Sequence, residues 1–371
     1  MLRSWTYRYQ HWLVVACFLP HLLSAMEWTA EKEQQIVQQI YCLPVHIDVN
    51  YDQHVKKYVR SYLTTGRLET TKMLRRADYF FPVFEHYLRL HELPEELKYL
   101  PVVESRLIAD AQSTAGASGL WQFIKPTARA YGLRVNSYVD ERLDVYKSTE
   151  AAIELFKALY EEFGDWTLVL AAYNCGPSRV HRAVRRAKST DFDLVAPYLP
   201  KQTRKYIPKY IATIFAMEHF SEHVTIKSVP TASLAHYETQ TIQVFDRLSF
   251  RRIAAVCKLP EATIERLNPG FLRSVIPGSR SGYHLQLPAK VMPTLRAYIA
   301  HQRASTWPLL RQQAYQSRYI VGAGDTVAVL AARFRCTEQE IIEWNQLGNR
   351  DLLVRESLVL QAPKAPIRFS P

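Results

Sequence analysis

Glu104 stands where the spacing of its neighbours puts a carboxyl on an apolar helical face. Pro94-Glu95-Glu96 reads as a helix start, with Pro at the first position and acids in the first turn. From there Leu97, Leu100, Glu104 and Ile108 fall on one helical face. Glu104 therefore sits on an apolar stripe. A carboxyl there loses hydration, its pKa rises, and it stays protonated near neutrality, as a general acid must. The same pattern fits a Glu that caps this helix or pairs with Arg106, and spacing leaves both readings open. Pro101 removes a backbone bond and bends the chain just before Glu104.

Three further stretches carry polar chemistry. Ser113-Thr114-Ala115-Gly116-Ala117-Ser118-Gly119-Leu120-Trp121-Gln122-Phe123 joins small residues, which allow close backbone approach, to an amide that both donates and accepts. Ala171-Ala172-Tyr173-Asn174-Cys175-Gly176 puts a phenol and an amide at a helix end. Asp140-Glu141-Arg142-Leu143-Asp144 reads as a charged helix-capping turn, with an acid/base cluster as the alternative. Taken singly, each is also an ordinary turn or core segment.

Helices must position these groups. Helical periodicity covers Glu31 to Tyr41, Asp48 to Leu63, Thr70 to Leu90, Ser148 to Phe163 and Lys209 to Phe220. Gly164 closes one of them, Asp165 caps the next over Trp166 to Tyr173, and Pro177 opens another after Gly176. The chain is 371 residues long, enough for two or three domains. Its 12 glycines are few, which disfavours glycine-rich phosphate cradles and leans the chain toward helix. Forty-seven Lys and Arg against 35 Asp and Glu give +12, so an anionic partner is expected: nucleic acid, a membrane surface or an acidic wall polymer. The five cysteines form no C-x-x-C pair and no disulfide framework, and they read as mostly free buried thiols.

Arg3 and Arg8, an apolar run from Trp12 to Leu23, and Ser24-Ala25 have the order of a secretory signal over residues 1–25. Val14-Val15-Ala16-Cys17 offers the alternative of lipidation at Cys17, and which of the two holds stays open. After about Val229 the texture changes to short strands flanking short helices. At an offset of 77, Ala254-Ala255, Glu261, Ile264 and Asn268 fall on Ala331-Ala332, Glu338, Ile341 and Asn345. Each copy reads strand, helix, helix, strand, and Thr337-x-x-Glu340 is a capping box in the second.

In this order and spacing the motifs resemble the lytic transglycosylases, in particular the membrane-bound lytic murein transglycosylase D type. The likeness rests on Glu104-Ser105, Gly116 to Gln122, Ala172 to Asn174, and Leu199-Pro200-x-x-Thr203-x-x-Tyr206-x-Pro208, across roughly residues 30 to 220. The C-terminal repeat resembles LysM modules, through Gly324-Asp325-Thr326 and Asn345 in its second copy. The first copy has Arg247-Leu248-Ser249 in place of Gly-Asp-Thr. The expected fold is mainly α: a lysozyme-like helical catalytic domain followed by small α+β modules of βααβ type. The expected division is a signal at 1–25, a helical region at 26–90 and the lysozyme-like domain at 91–220. A degenerate LysM-like module follows at 238–290, then a linker at 291–317 and a LysM module at 318–363.

The resemblance implies cleavage of the bond between N-acetylmuramic acid and N-acetylglucosamine, with formation of a 1,6-anhydro ring. Glu104 would be the sole acid/base. Ser105, Ser113, Gln122, Tyr173, Asn174 and Tyr206 would hold the reacting groups, and Gly324, Asp325, Thr326 and Asn345 would contact wall glycan. No metal, other cofactor or nucleic acid is implied. The partner would be peptidoglycan, in the periplasm or cell envelope, with membrane association and oligomeric state left open. The family usually has Glu where this chain has Gln202, and commonly Ala at Cys175. Rival readings are a murein-binding scaffold with a dead cleft, a lysozyme-like hydrolase needing Asp110 or Asp144 as second carboxylate, and a nucleic-acid binder using Arg182, Arg185, Arg186 and Lys188.

Overall fold

The computed structural model describes residues 28–224, 239–306, 316–321, 325–334, 336–348, 352–353 and 356–361. The first body is helical. It runs through α1 (Ala30–Tyr41), α2 (Gln53–Leu63), α3 (Arg67–Leu90), α4 (Leu100–Ser105), α5 (Lys125–Ala130), α6 (Val145–Phe163), α7 (Trp166–Cys175), α8 (Pro177–Ala187), α9 (Phe192–Val195), α10 (Lys201–Arg204) and α11 (Tyr206–His223). Local chemistry sets several ends. Asp52 caps α2 through Val55 N at 2.8 Å, so that helix starts later than its periodicity suggests. Asp165 caps α7 through Leu168 N at 2.8 Å, and Gly164, at φ +66°, closes α6. α3 and α11 form the centre of the core, with Phe84, Leu88, Tyr210 and Phe215 fully buried.

The segment carrying Glu104 is shorter and tighter than its periodicity predicts. A 3₁₀ turn over Glu95–Tyr99 leads into α4, and Arg106 and Leu107 then take positive φ of 55° and 58°. Ile108 therefore leaves the stripe. Pro101 lies in the first turn of α4, where no backbone N–H is needed, so it starts the helix rather than bending it.

The second part is α+β. It contains β1 (Thr239–Val244), β2 (Leu248–Ser249), α12 (Phe250–Cys257), α13 (Glu261–Leu267), β3 (Val275–Ile276), β4 (Tyr283–Pro288), α14 (Met292–Thr306), β5 (Gln316–Ile320), α15 (Val327–Phe334), α16 (Glu338–Asn345) and β6 (Ser357–Gln361). Within each copy the outer strands pair antiparallel, β1 with β4 and β5 with β6. The two copies are also fused. β1 pairs with β5, Gln240 opposite Tyr319, giving one sheet of order β4-β1-β5-β6. The segment read as a linker from 291 is a helix through Thr306. Met292, Leu295 and Ile299 are 0%, 0% and 5% exposed, inside the core of the first copy. The physical reason is burial: the apolar positions of α14 fill the space beside α12. The capping box at Thr337 and Glu340 is formed as expected.

The repeated Asn has one structural job in both copies. Asn268 Nδ2 donates to the carbonyls of Ile264 and Gln286 at 2.8 and 2.7 Å, and its oxygen accepts from Gln286 N at 2.7 Å. Asn345 repeats this with Ile341, Val359 and Val359 N at 2.9, 2.8 and 2.5 Å. Each amide ties the end of a helix to the returning strand.

The first copy docks on the helical body through the loop 134–144. Asp140 N donates to Gly270 O, and Leu272 N to Tyr138 O, both at 2.9 Å. Val139 is buried in the core of the first copy. Arg134 stacks 3.7 Å from the Tyr283 ring and donates to Gly282 O at 2.8 Å.

Candidate active site

Glu104 projects from the last turn of α4, half-buried. Its Oε1 accepts the hydroxyl of Tyr206 at 2.5 Å, from the first turn of α11. One turn on, Lys209 donates to the carbonyl of Val103 at 2.9 Å. Burial pushes the Glu104 carboxyl above the usual carboxylate range, while the Tyr206 bond and the Lys209 charge pull it partly back. Burial, with the neighbouring Glu104 charge, keeps both Tyr206 and Tyr173 protonated. Burial lowers Lys209.

The glycine-containing loop forms a second wall. Gly119 has φ +85°, and a Cβ there would lie 1.8 Å from Arg142 O, so only glycine fits. Gln122 is also left-handed, at φ +49°. Its Nε2 donates to Gly119 O at 2.8 Å and Ala111 O at 3.2 Å. Trp121 is buried, donates to Thr149 Oγ1 at 2.9 Å, and meets Phe84 and Phe156 edge-on. Its carbonyl accepts the Tyr173 hydroxyl at 2.5 Å, which joins this loop to α7. Asn174 accepts from Thr203 Oγ1 at 2.9 Å, which joins α7 to α10.

Arg142 holds this wall from behind, a role that sequence reasoning missed. It is 3% exposed, pairs with Asp140 at 2.7 Å, and donates to Gly116 O at 2.8 Å and Phe123 O at 3.0 Å. The charged turn at 140–144 is thus a clamp and a cap. Asp144 accepts from Tyr146 N and Lys147 N at the start of α6, and lines a cavity against the first repeat copy, 4.0 Å from His284. It stands on that interface rather than beside Glu104. Asp110 is exposed. Thr203 stood in the motif that carries the resemblance but without a role, and Lys209 was missed; its signal was its spacing of three from Tyr206.

Other sequence-derived site residues are placed differently. Ser105 is 4% exposed and donates to Pro101 O at 2.8 Å, so its hydroxyl is committed to its own helix and does not orient Glu104. Ser113 is exposed and accepts from Ala117 N at 3.0 Å within the loop turn. Gln202 is exposed on α10, and the Tyr206 hydroxyl is given to Glu104, so the two do not pair. Cys175 is buried, consistent with tolerance of a small residue there. Cys42, Cys175, Cys257 and Cys336 are free thiols. In the second repeat copy Asp325 accepts from Tyr319, Thr326 caps α15 through Val329 N at 3.2 Å, and the Asn345 amide is spent on the fold. Gly324, Cys17 and the signal segment lie outside the described residues.

Three family models match the chain in order. "Transglycosylase SLT domain" covers residues 82–195, "Lytic transglycosylase MltD, LysM-like domain" 238–303, and "LysM domain" 319–360. The second match runs through most of α14, in agreement with its place in that core. The chain is 28% identical over 328 residues to "Membrane-bound lytic murein transglycosylase D" of Escherichia coli (strain K12), covering 86% of this chain and 71% of that one. It is 33% identical over 147 residues to a protein of Alteromonas sp. (strain M-1) named for tributyltin chloride resistance, covering 39% of this chain and 70% of that one. It is 37% identical over 86 residues to "Peptidoglycan transglycosylase gp16" of Escherichia phage T7, covering 23% of this chain and 6% of that one. The chain thus carries a transglycosylase SLT domain, an MltD-type LysM-like domain and a LysM domain in succession, and it is similar over most of its length to a lytic murein transglycosylase D.

Proposed function

We propose that this enzyme cleaves the bond between N-acetylmuramic acid and N-acetylglucosamine in peptidoglycan and closes a 1,6-anhydro ring, with Glu104 as the only acid/base. The observation that carries this reading is the isolation of Glu104. Among the described residues, its charged or hydrogen-bonded neighbours are Tyr206 and Lys209, and no second carboxylate acts on it. A two-carboxylate glycosidase needs a partner acid across the bond. Without one, a nucleophile supplied by the substrate itself fits the site better than a water activated by a second acid.

Glu104 gives its proton to the glycosidic oxygen as the C1–O bond breaks. The acetamido oxygen of the muramyl sugar stabilises the cationic centre. The C6 hydroxyl then attacks C1, and the Glu104 carboxylate takes the hydroxyl proton, which regenerates the acid. Tyr206 holds the carboxyl in place during both transfers. Gln122, Tyr173 and Asn174 line the walls that would hold the N-acetyl sugars. The second repeat copy would bind wall glycan and keep the enzyme on its polymer. An envelope location is supported by the order of residues 1–25 and by the relative named as membrane-bound.

Mass spectrometry of fragments released from purified sacculi tests the reading. Products ending in 1,6-anhydro-muramic acid are expected. Products with a free reducing end would make water the nucleophile and the enzyme a hydrolase.

A further inference from the structure

Between residues 177 and 205 the chain carries eight Lys and Arg against two Asp. All eight are exposed. On α8, Arg182, Arg185 and Arg186 share one face, opposite the buried Val180 and Ala183. On and just after α10, Lys201, Arg204 and Lys205 flank the buried Thr203. Among the described residues none of these six forms an ion pair with a carboxylate. A solvated helix face usually mixes both signs, so an unmixed one repels itself unless an anion covers it.

The position of the patch says which anion. α8 continues directly from the chain end that supplies Asn174, and α10 continues directly into Tyr206. The Thr203–Asn174 hydrogen bond ties α10 to the end of α7, from which α8 departs. Both cationic helices thus adjoin, along the chain, residues of the cleft wall: α8 begins three residues after Asn174, and α10 ends two residues before Tyr206. The sugars assigned to that cleft are uncharged in their rings and acetamido groups. Their anionic material is the peptide carried on the muramyl lactyl group, with its free carboxylates.

We propose that the α8–α10 rim is a recognition surface for acidic peptide carried by the glycan, so that the enzyme prefers peptide-bearing strands to bare ones. This rests on the transglycosylase reading above. The contribution is long-ranged: the Debye length is ~30 Å at about 0.01 M salt and ~8 Å at about 0.15 M, so the preference fades as salt rises.

The test compares the full chain with an Arg182→Glu/Arg185→Glu/Arg186→Glu variant on two substrates: peptide-bearing glycan strands, and the same strands stripped by an amidase. The variant is expected to lose roughly tenfold or more in kcat/KM on peptide-bearing strands at low salt, mostly in KM, with little change on stripped strands. The Arg→Gln triple variant should fall between, and it serves if the charge reversal fails to fold. Equal losses on both substrates, or no loss on either, overturn the proposal. So does binding of the wild-type protein to vesicles rich in phosphatidylglycerol, abolished by the variant, with substrate preference unchanged; the patch would then belong to a lipid surface. A wild-type protein inactive on both substrates would instead sink the transglycosylase reading itself.

Discussion

The hydroxyl of Tyr206 reaches Oε1 of Glu104 at 2.5 Å, across 102 residues of chain and from the first turn of one helix to the last turn of another. Both helix ends are buried in the same core, so neither side chain is free to swing. The carboxyl keeps a raised pKa from burial and gains a fixed orientation from the phenol.

Removing the carboxyl's proton should remove activity. Glu104→Gln keeps the shape and accepts the Tyr206 bond but donates no proton, so turnover should fall by about 10²–10⁴-fold with sacculus binding intact. Tyr206→Phe removes an interaction that lowers the Glu104 pKa. Its alkaline limb in a kcat/KM profile should therefore move to higher pH while the rate falls. A limb that stays put would assign that ionisation to another group.

Gly119 carries the sterics of the cleft wall. A Cβ 1.8 Å from Arg142 O, added at φ +85°, cannot be relieved by a side-chain rotation. Gly119→Ala should cost on the order of 3 kcal/mol or more in urea unfolding. Gly116, also at positive φ but with open space beyond its Cβ, should cost far less as Gly116→Ala. Similar values for both would show that the Arg142 contact is soft.

Asp144 predicts a pH-dependent stability. Burial first, with the nearby Glu141 charge adding to it, raises its pKa from 3.8 to about 6. A group raised in the folded state contributes fully below its unfolded pKa and loses that contribution as pH rises through its folded one. Asp144→Asn keeps a cap for α6 and removes the charge. The melting temperature of the variant, relative to wild type, should climb between pH ~4 and ~7, toward an advantage of order 3 kcal/mol. His284, which burial lowers from 6.5 to about 3, has the opposite slope in both proteins and largely cancels in the difference. A flat difference across this range would mean that Asp144 is solvated.

The Asn345 amide separates a structural role from a sugar-binding one. Replacing it with Ala strands two carbonyls and one N–H, at roughly 2–4 kcal/mol. Asn268→Ala should cost a similar amount in the first copy, where the same three bonds recur. Full stability with loss of binding to an N-acetylglucosamine oligomer would return Asn345 to the glycan site.

The sequence by itself determined most of the long helices, the motifs that carry the polar groups and the two repeat copies, but it read α14 as a linker. Those features are local: caps such as Asp165, apolar periodicity, and motifs whose residue types are tied to one chemistry. Tertiary structure decided what each side chain has left to offer. Ser105 and Asn345 entered the site through the family resemblance, yet each is spent on backbone partners that only the fold reveals. Arg142 and Asp140 read as part of a charged helix-capping turn, yet together they hold the cleft wall from the inside. The fusion of the two copies through β1 and β5 was equally hidden, because strand pairing depends on which edges meet in space. A propensity is a property of neighbours in sequence. Satisfaction of a hydrogen bond or a charge is a property of neighbours in space, and 102 residues separate the two that matter most.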